Sequence, residues 1–183
     1  AARRRGAEVT LIAGPVTLVD PPEVEVIRTT TAEAMAAAVL ERAPSMDVII
    51  KSAAVADFRP TACQQQKIKK TQQGLTLDLI KNRDILAELG KRRLPGQLLV
   101  GFAAESQNHV AEGQRKLQEK NLDLIVVNDI LGQQTGFDVE TNQVTLIDRK
   151  ASQTLPLLTK EATADRIWDK VLLLCGESPV HDE

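Results

Sequence analysis

Aromatic side chains are nearly missing from this chain: one tryptophan, three phenylalanines and no tyrosine in 183 residues. A platform that stacks successive bases of single-stranded nucleic acid needs such rings, so that mode of binding is disfavoured. Cysteine is scarce as well. Cys63 and Cys175 stand apart, outside any CxxC or zinc spacing. They are most simply two free thiols, as expected for a cytoplasmic protein. His109 and His181 have no sequence partner suggesting a metal site or a catalytic triad. No apolar run approaches the roughly 20 residues needed to cross a bilayer. The basic start, Ala1-Ala-Arg-Arg-Arg-Gly6, has no signal-peptide apolar segment behind it. A formal charge of −2 gives no reason to expect nucleic acid or an anionic membrane as partner. A GxGxxG fingerprint is absent too.

What is present is alternation. Ala1–Gly6 reads as the last turn of a helix, with cations at its end and a glycine to stop it. Strands are expected at Glu8–Ala13, Val24–Thr29, Asp47–Val55, Leu75–Ile80, Gln97–Ala103, Leu122–Val127 and Gln143–Asp148. The last of these suggests a hairpin through Glu140-Thr-Asn142. Helices are expected at Thr31–Arg42, capped by Thr30 or Thr31, and at Asp84–Lys91, Asn108–Lys120 and Thr159–Leu174. Thr159 is followed three residues later by Ala162, so a full capping box is missing. Strands alternating with helices predict an α/β fold of Rossmann-like, three-layer type: a mainly parallel sheet with helices on both faces. The length suits a single domain over 1–175, with a polar tail at 176–183. A helix end followed by a strand is the second half of a βαβ unit, so a first strand is expected upstream of residue 1.

Right-handed crossovers gather the loops that follow the strands on one rim. Several of those loops carry chemistry. Val48-Ile-Ile50 runs into Lys51, Ser52 and the small residues Ala53 and Ala54, followed by Asp57 and Arg59-Pro60. Small residues at a strand's carboxyl end let a ligand approach the backbone, in the place where open α/β sheets bind ligands. Asp57 could hold magnesium, a ribose hydroxyl or a base, or simply form an Asx turn before Pro60. Lys67, Lys69 and Lys70 lie between glutamine-rich stretches and read either as a flap over phosphates or as a solvated charge run. Asn82 could cap the helix that begins near Arg83 and Asp84, leaving free amides at Ile85 and Leu86. Phe102, in Gly101-Phe-Ala-Ala-Glu105, could pack on a base or belong to the core. Lys116 and Lys120 share a helix face, suited to phosphates or to solvent.

Taken in order, Ala-Ala-Val-Ala-Asp-Phe (53–58), Lys-Ile-Lys-Lys (67–70), Lys-Asn-Arg-Asp-Ile (81–85), Gly-Phe-Ala-Ala-Glu (101–105) and Asn-Leu-Asp-Leu-Ile-Val-Val-Asn-Asp (121–129) resemble the successive motifs of bacterial phosphopantothenoylcysteine synthetases. In that family the domain is usually the C-terminal half of the bifunctional coenzyme A biosynthesis flavoprotein. The resemblance covers Ala1 to about Leu174.

It implies a cytoplasmic, homodimeric ligase using CTP and magnesium, with 4′-phosphopantothenate and cysteine as substrates. A strand within 130–148 is one candidate dimer contact. FMN would belong to a fused flavoprotein decarboxylase half outside these residues. The resemblance implies Lys67 as the catalytic lysine. It implies a nucleotide site of Lys51, Ser52, Ala53, Asp57, Lys67, Arg83, Asp84, Ile85, Leu86, Phe102, Lys116 and Lys120. Ala53 and Ala54 would meet the acyl substrate and Asp57 the metal. Family members often carry proline where this chain has Arg83, which favours backbone contacts there. The family also has a glycine- and serine-rich loop with an essential asparagine upstream of the helix ending at Gly6. Without that loop, residues 1–183 are expected to bind nucleotide weakly and turn over poorly. The principal rival is a Rossmann module binding nucleotide or dinucleotide without ligase chemistry, which NADPH titration would distinguish. A purely structural dimerisation domain is a third reading, which a monomer in light scattering would weaken.

Overall fold

A computed structural model describes residues 1–62, 66, 76–105, 108–129 and 140–176, apart from the side chains of Glu105 and Asp129. A short 3-10 turn, Arg3–Arg5, opens the chain and is stopped by Gly6 at φ +84°. Strands β1 (Thr10–Ala13) and β2 (Glu25–Arg28) then form a parallel pair. Helix α1 (Ala32–Arg42) follows, then β3 (Val48–Lys51), β4 (Phe58–Pro60) and β5 (Leu79–Lys81). Next come α2 (Ile85–Arg92), β6 (Leu98–Glu105), α3 (His109–Glu119) and β7 (Leu124–Asp129). The described chain ends with β8 (Thr141–Asn142), β9 (Val144–Asp148), β10 (Ser152–Thr154), β11 (Leu158–Thr159) and α4 (Lys160–Cys175).

The central sheet has the order β10-β9-β7-β6-β3. Strands β3, β6 and β7 are parallel, and β9 and β10 add an antiparallel edge. With the β1–β2 pair, this is the mainly parallel, Rossmann-like arrangement read from the sequence. The run Leu124-Ile-Val-Val127 is wholly buried, because strands covered on both faces need apolar residues at every position. Alternate residues of β6 serve opposite faces: Leu99 joins the cluster beneath α1, α2 and α3, while Leu98 and Val100 join the one beneath α4. Glycine makes these layers close. A Cβ on Gly113 would lie 2.5 Å from Ile147 Cδ1, and one on Gly101 would lie 2.7 Å from Leu86 Cδ2.

Local signals fix the helix starts. The Thr31 hydroxyl accepts from the Ala34 amide at 3.0 Å, which decides between the two candidate threonines. The Thr159 hydroxyl accepts from Ala162 N at 3.1 Å, so α4 is capped without a capping-box glutamate. At the other end Arg4 pairs with Glu161 and Asp165, and Arg5 with Asp165 at 2.5 Å and Asp169 at 2.8 Å. The amino-terminal turn is thereby pinned to the helix on the α4 face.

Several expectations need correction. The strand expected over 47–55 stops at Lys51, and Ser52 to Ala56 form a loop. The residues before and at Pro60, where an Asx turn of Asp57 is one reading of the sequence, form strand β4, paired antiparallel with β5 in a separate two-stranded ribbon. Residues 141–142 do not make a hairpin with β9. They pair with β11, while β9 turns back into β10. The 67–70 cluster, and the greater part of 130–148 and of the polar tail, lie outside the described residues.

Candidate functional site

The loop leaving β3 does not wander. Asn82, 9% exposed, follows β5 and fastens the loop at three points. Its Nδ2 donates to Ala56 O at 2.8 Å, its backbone amide donates to Asp57 O at 2.7 Å, and its Oδ1 accepts from Arg59 Nη1 at 2.9 Å. Arg59 is held in turn by Glu33 of α1 at 2.7 Å. Asn82 is therefore not the cap of α2. That task falls to Asp84, whose Oδ1 accepts from Ala87 N at 3.0 Å.

These contacts shape a cavity of about 280 Å³ at the carboxyl end of β3, lined by Lys51, Asp57, Asn82, Arg83, Asp84 and Lys120 among others. Lys120 arrives from the end of α3 and pairs with Asp84 Oδ2 at 2.9 Å, closing one side. Its position depends on Gly90. A Cβ there would lie 1.9 Å from the Lys120 carbonyl oxygen. Asn121, at φ +51°, completes the junction by donating from Nδ2 to Gly90 O at 2.9 Å. Lys51 is half-buried, and its ammonium donates to Ala53 O at 2.7 Å. Burial pushes the Lys51 pKa down, and the charge of Lys120 adds to the effect against the opposing pull of Asp84 and Asp57. For Asp84 burial favours the neutral acid, but the Ala87 amide and the Lys120 ammonium together outweigh it and hold the carboxyl below its usual range.

Of the residues singled out in the sequence, the structure brings together Lys51, Asp57, Arg83, Asp84, Ile85 and Lys120. Ser52 and Ala53 instead line a second cavity between β1 and β3, and Ala54 is exposed beside it. Leu86 is buried in the core beneath Gly101. Phe102 packs against the cluster under α4, on the opposite face of the sheet from Ile85. Lys116 lies one turn before Lys120 on α3 and is not part of the cavity wall. Its neighbour Arg115 is occupied by Glu112 and Glu119. Lys67 lies outside the described residues. Asn82 and Gly90 were not singled out by sequence reasoning as parts of the site; the Lys81-Asn82 pair at the end of a predicted strand was the available signal for the first. A larger open hollow, about 520 Å³, lies near His109 and Thr154, and among the described residues its wall has no Lys, Arg, Asp or Glu.

Among the described residues no group of three or more His, Cys, Asp or Glu is placed to hold a metal ion. Two carboxylates line the charged cavity; the oxygens of Asp84 are engaged by Ala87 N and Lys120, which leaves Asp57 as the candidate donor. That donor set suits magnesium that arrives with phosphates, since it commonly takes only one or two protein carboxylates.

Sheet and cavity together define a Rossmann-like α/β domain with a charged pocket at the carboxyl edge of its parallel strands, where such folds bind ligands. Residues 1–174 match the family model described as the DNA/pantothenate metabolism flavoprotein C-terminal domain, and the chain belongs to that family. It is 42% identical over 180 residues to the coenzyme A biosynthesis bifunctional protein CoaBC of Bacillus subtilis, covering 97% of this chain and 44% of that protein. It is 41% identical over 176 residues to a cysteine/cysteine sulfinic acid decarboxylase of an unknown prokaryotic organism, covering 95% of this chain and 49% of that one. The crystal structure of the C-terminal domain of a CoaBC protein superposes with a TM-score of 0.79 at 36% identity, covering 96% of this chain and 80% of the other. The chain thus spans about half the length of the curated relatives it matches.

Proposed function

We propose that this domain is a phosphopantothenate–cysteine ligase that activates 4′-phosphopantothenate with CTP and joins it to cysteine in coenzyme A biosynthesis. The observation that carries the reading is the convergence of Lys51, Arg83 and Lys120 with Asp57 in one cavity, in a chain of this family. In the first step a carboxylate oxygen of the substrate attacks the α-phosphorus of CTP and pyrophosphate leaves. In the second the cysteine amine attacks the acyl carbon, CMP leaves, and the amine loses its proton. Both steps need charge neutralisation and in-line positioning more than a covalent role for the protein. Lys120 and Lys51 would offset triphosphate charge, joined by Lys116 and Lys67. Asp57 would carry magnesium, which screens the phosphates when bound. The amides at the start of α2, which the helix itself leaves without partners, would meet the nucleoside.

The domain is also proposed to take a further strand. The cavity between β1 and β3, about 170 Å³, is walled by Thr10 to Ile12, Val48 to Lys51 and the apolar side chains of α1. In the described sheets β1 pairs only with β2, and β3 only with β6. Helices α1 and α2 lie on one face, while the Arg3–Arg5 turn lies on the other, against α4. That is the side a right-handed crossover into β1 would use for a helix following a strand in this gap. The resemblance supplies the same picture, with a glycine- and serine-rich loop after that strand, a homodimer, a cytoplasmic location and a fused FMN-bearing decarboxylase half.

Calorimetric titration with CTP in the presence of magnesium, and with ATP as control, tests the proposal. CTP-selective binding, stronger in a chain extended upstream than in residues 1–183, is expected. Equal binding of ATP and CTP by the extended chain, or binding of neither, refutes it. NADPH binding in its place would favour a reductase-type module.

A further inference from the structure

The Asp84 carboxylate is in an unusual place for a pocket meant for phosphates. One oxygen caps α2 through Ala87 N at 3.0 Å, and the other holds the Lys120 ammonium at 2.9 Å. Capping needs only one acceptor oxygen and no charge, since serine and asparagine do it as well as aspartate. The second oxygen therefore serves Lys120. Lys51 lies close enough to feel both charges, and Asp57 lines the same wall. The junction behind Lys120 is rigid: its carbonyl abuts Gly90, and Asn121 is bonded both to Gly90 O and to Arg149, the latter at 2.7 Å. The Lys120 backbone is thus anchored against α2, so an incoming anion competes with Asp84 for an ammonium whose stem springs from a fixed point.

We propose that Asp84 is an internal counter-ion occupying the place of a ligand phosphate on Lys120, and that binding of a polyphosphate exchanges this carboxylate for a phosphate oxygen. The inference rests on reading the pocket as a phosphate site. It sets a threshold for ligands. A singly charged anion gains little by displacing one carboxylate, whereas a triphosphate gains Lys120 and Lys51 together and repels Asp84 as it enters. In the ligand-free protein the pair keeps two half-buried lysines from facing each other unscreened.

The test uses Asp84→Asn and Asp84→Ser, both of which keep a capping oxygen and remove the charge, titrated with inorganic tripolyphosphate and with CTP. Both variants are expected to bind tripolyphosphate about tenfold more tightly than the unaltered protein at low salt, the gain shrinking as ionic strength rises. The gain should vanish when Lys120→Met is added, since the two changes then act through one pair. Unchanged or weakened tripolyphosphate binding in both variants overturns the proposal, as does a gain that survives loss of Lys120. No tripolyphosphate binding by any of the proteins at millimolar concentration also overturns it. A gain for tripolyphosphate with no preference for CTP over ATP would leave the counter-ion role standing and refute the CTP-ligase reading instead.

Discussion

Gly90→Ala gives a test in which the sign of the effect is decisive. Gly90 sits near the end of α2, where alanine would ordinarily stabilise a helix by about 1 kcal/mol through reduced backbone entropy. Its φ is not positive, so alanine meets no backbone strain there. The obstacle is tertiary. The added Cβ would lie 1.9 Å from Lys120 O and 2.9 Å from Lys120 C. Relief to an ordinary contact of about 3.5 Å requires α2 and the end of α3 to separate by roughly 1.5 Å. Overpacking of this kind costs about 1–3 kcal/mol or more, enough to overcome the propensity gain. The separation would also strain the hydrogen bond from Asn121 Nδ2 to Gly90 O and draw Lys120 away from Asp84. The variant is therefore expected to lose about 1–2 kcal/mol in urea unfolding, and to show an altered affinity for polyphosphate. A more stable Gly90→Ala protein would refute the argument that this glycine is present for close approach.

Two further expectations follow from the same contacts. Asn82→Ala removes the clasp on Ala56 and Arg59, costing about 1–3 kcal/mol; backbone amides of residues 53–58 should exchange with deuterium faster than in the unaltered protein, and unchanged exchange there would discount the clasp. Asp84, Asp148 and Asp165 have carboxyls held below the usual carboxylate range. For Asp84 and Asp148 burial opposes the shift, and ion-pair and amide hydrogen bonds prevail; for Asp165 the Arg5 guanidinium leads. Because the unfolded chain takes up these protons first, their contribution is complete above about pH 4 and is lost as pH falls through the depressed folded values. Urea midpoints should be nearly level in this respect from pH 7 to 5 and fall below pH 4, whereas a midpoint that rises on acidification would contradict the assignment.

Much of the architecture was legible in the sequence, for reasons that can be traced to particular residues. The unbroken run at Leu124–Val127 announces a strand covered on both faces, and the structure buries all four residues. Thr31, Thr159 and Gly6 mark helix ends by local chemistry that needs no tertiary context. The loops at the carboxyl rim, and with them Asp57, Arg83 and Asp84, followed from strand–helix alternation and right-handed crossovers. The short ribbon strands were less legible. Thr141-Asn142 and Phe58-Arg-Pro60 are too brief to show a period, and they become strands only because a distant partner supplies hydrogen bonds.

The sequence by itself determined the order of the longer strands and helices, the family, and which loops are rich in small and charged residues, because periodicity, caps and motifs are local properties. Tertiary structure decided which of those residues meet. It placed Lys120 against Asp84, 36 positions away in the chain, because Gly90 lets two helix ends touch. It turned Phe102 to the face opposite Ile85, because alternation along β6 is fixed by register with β3 and β7. It also made Asn82 a clasp and left capping to Asp84, a division of labour set by where the β3 loop passes rather than by the residues on either side.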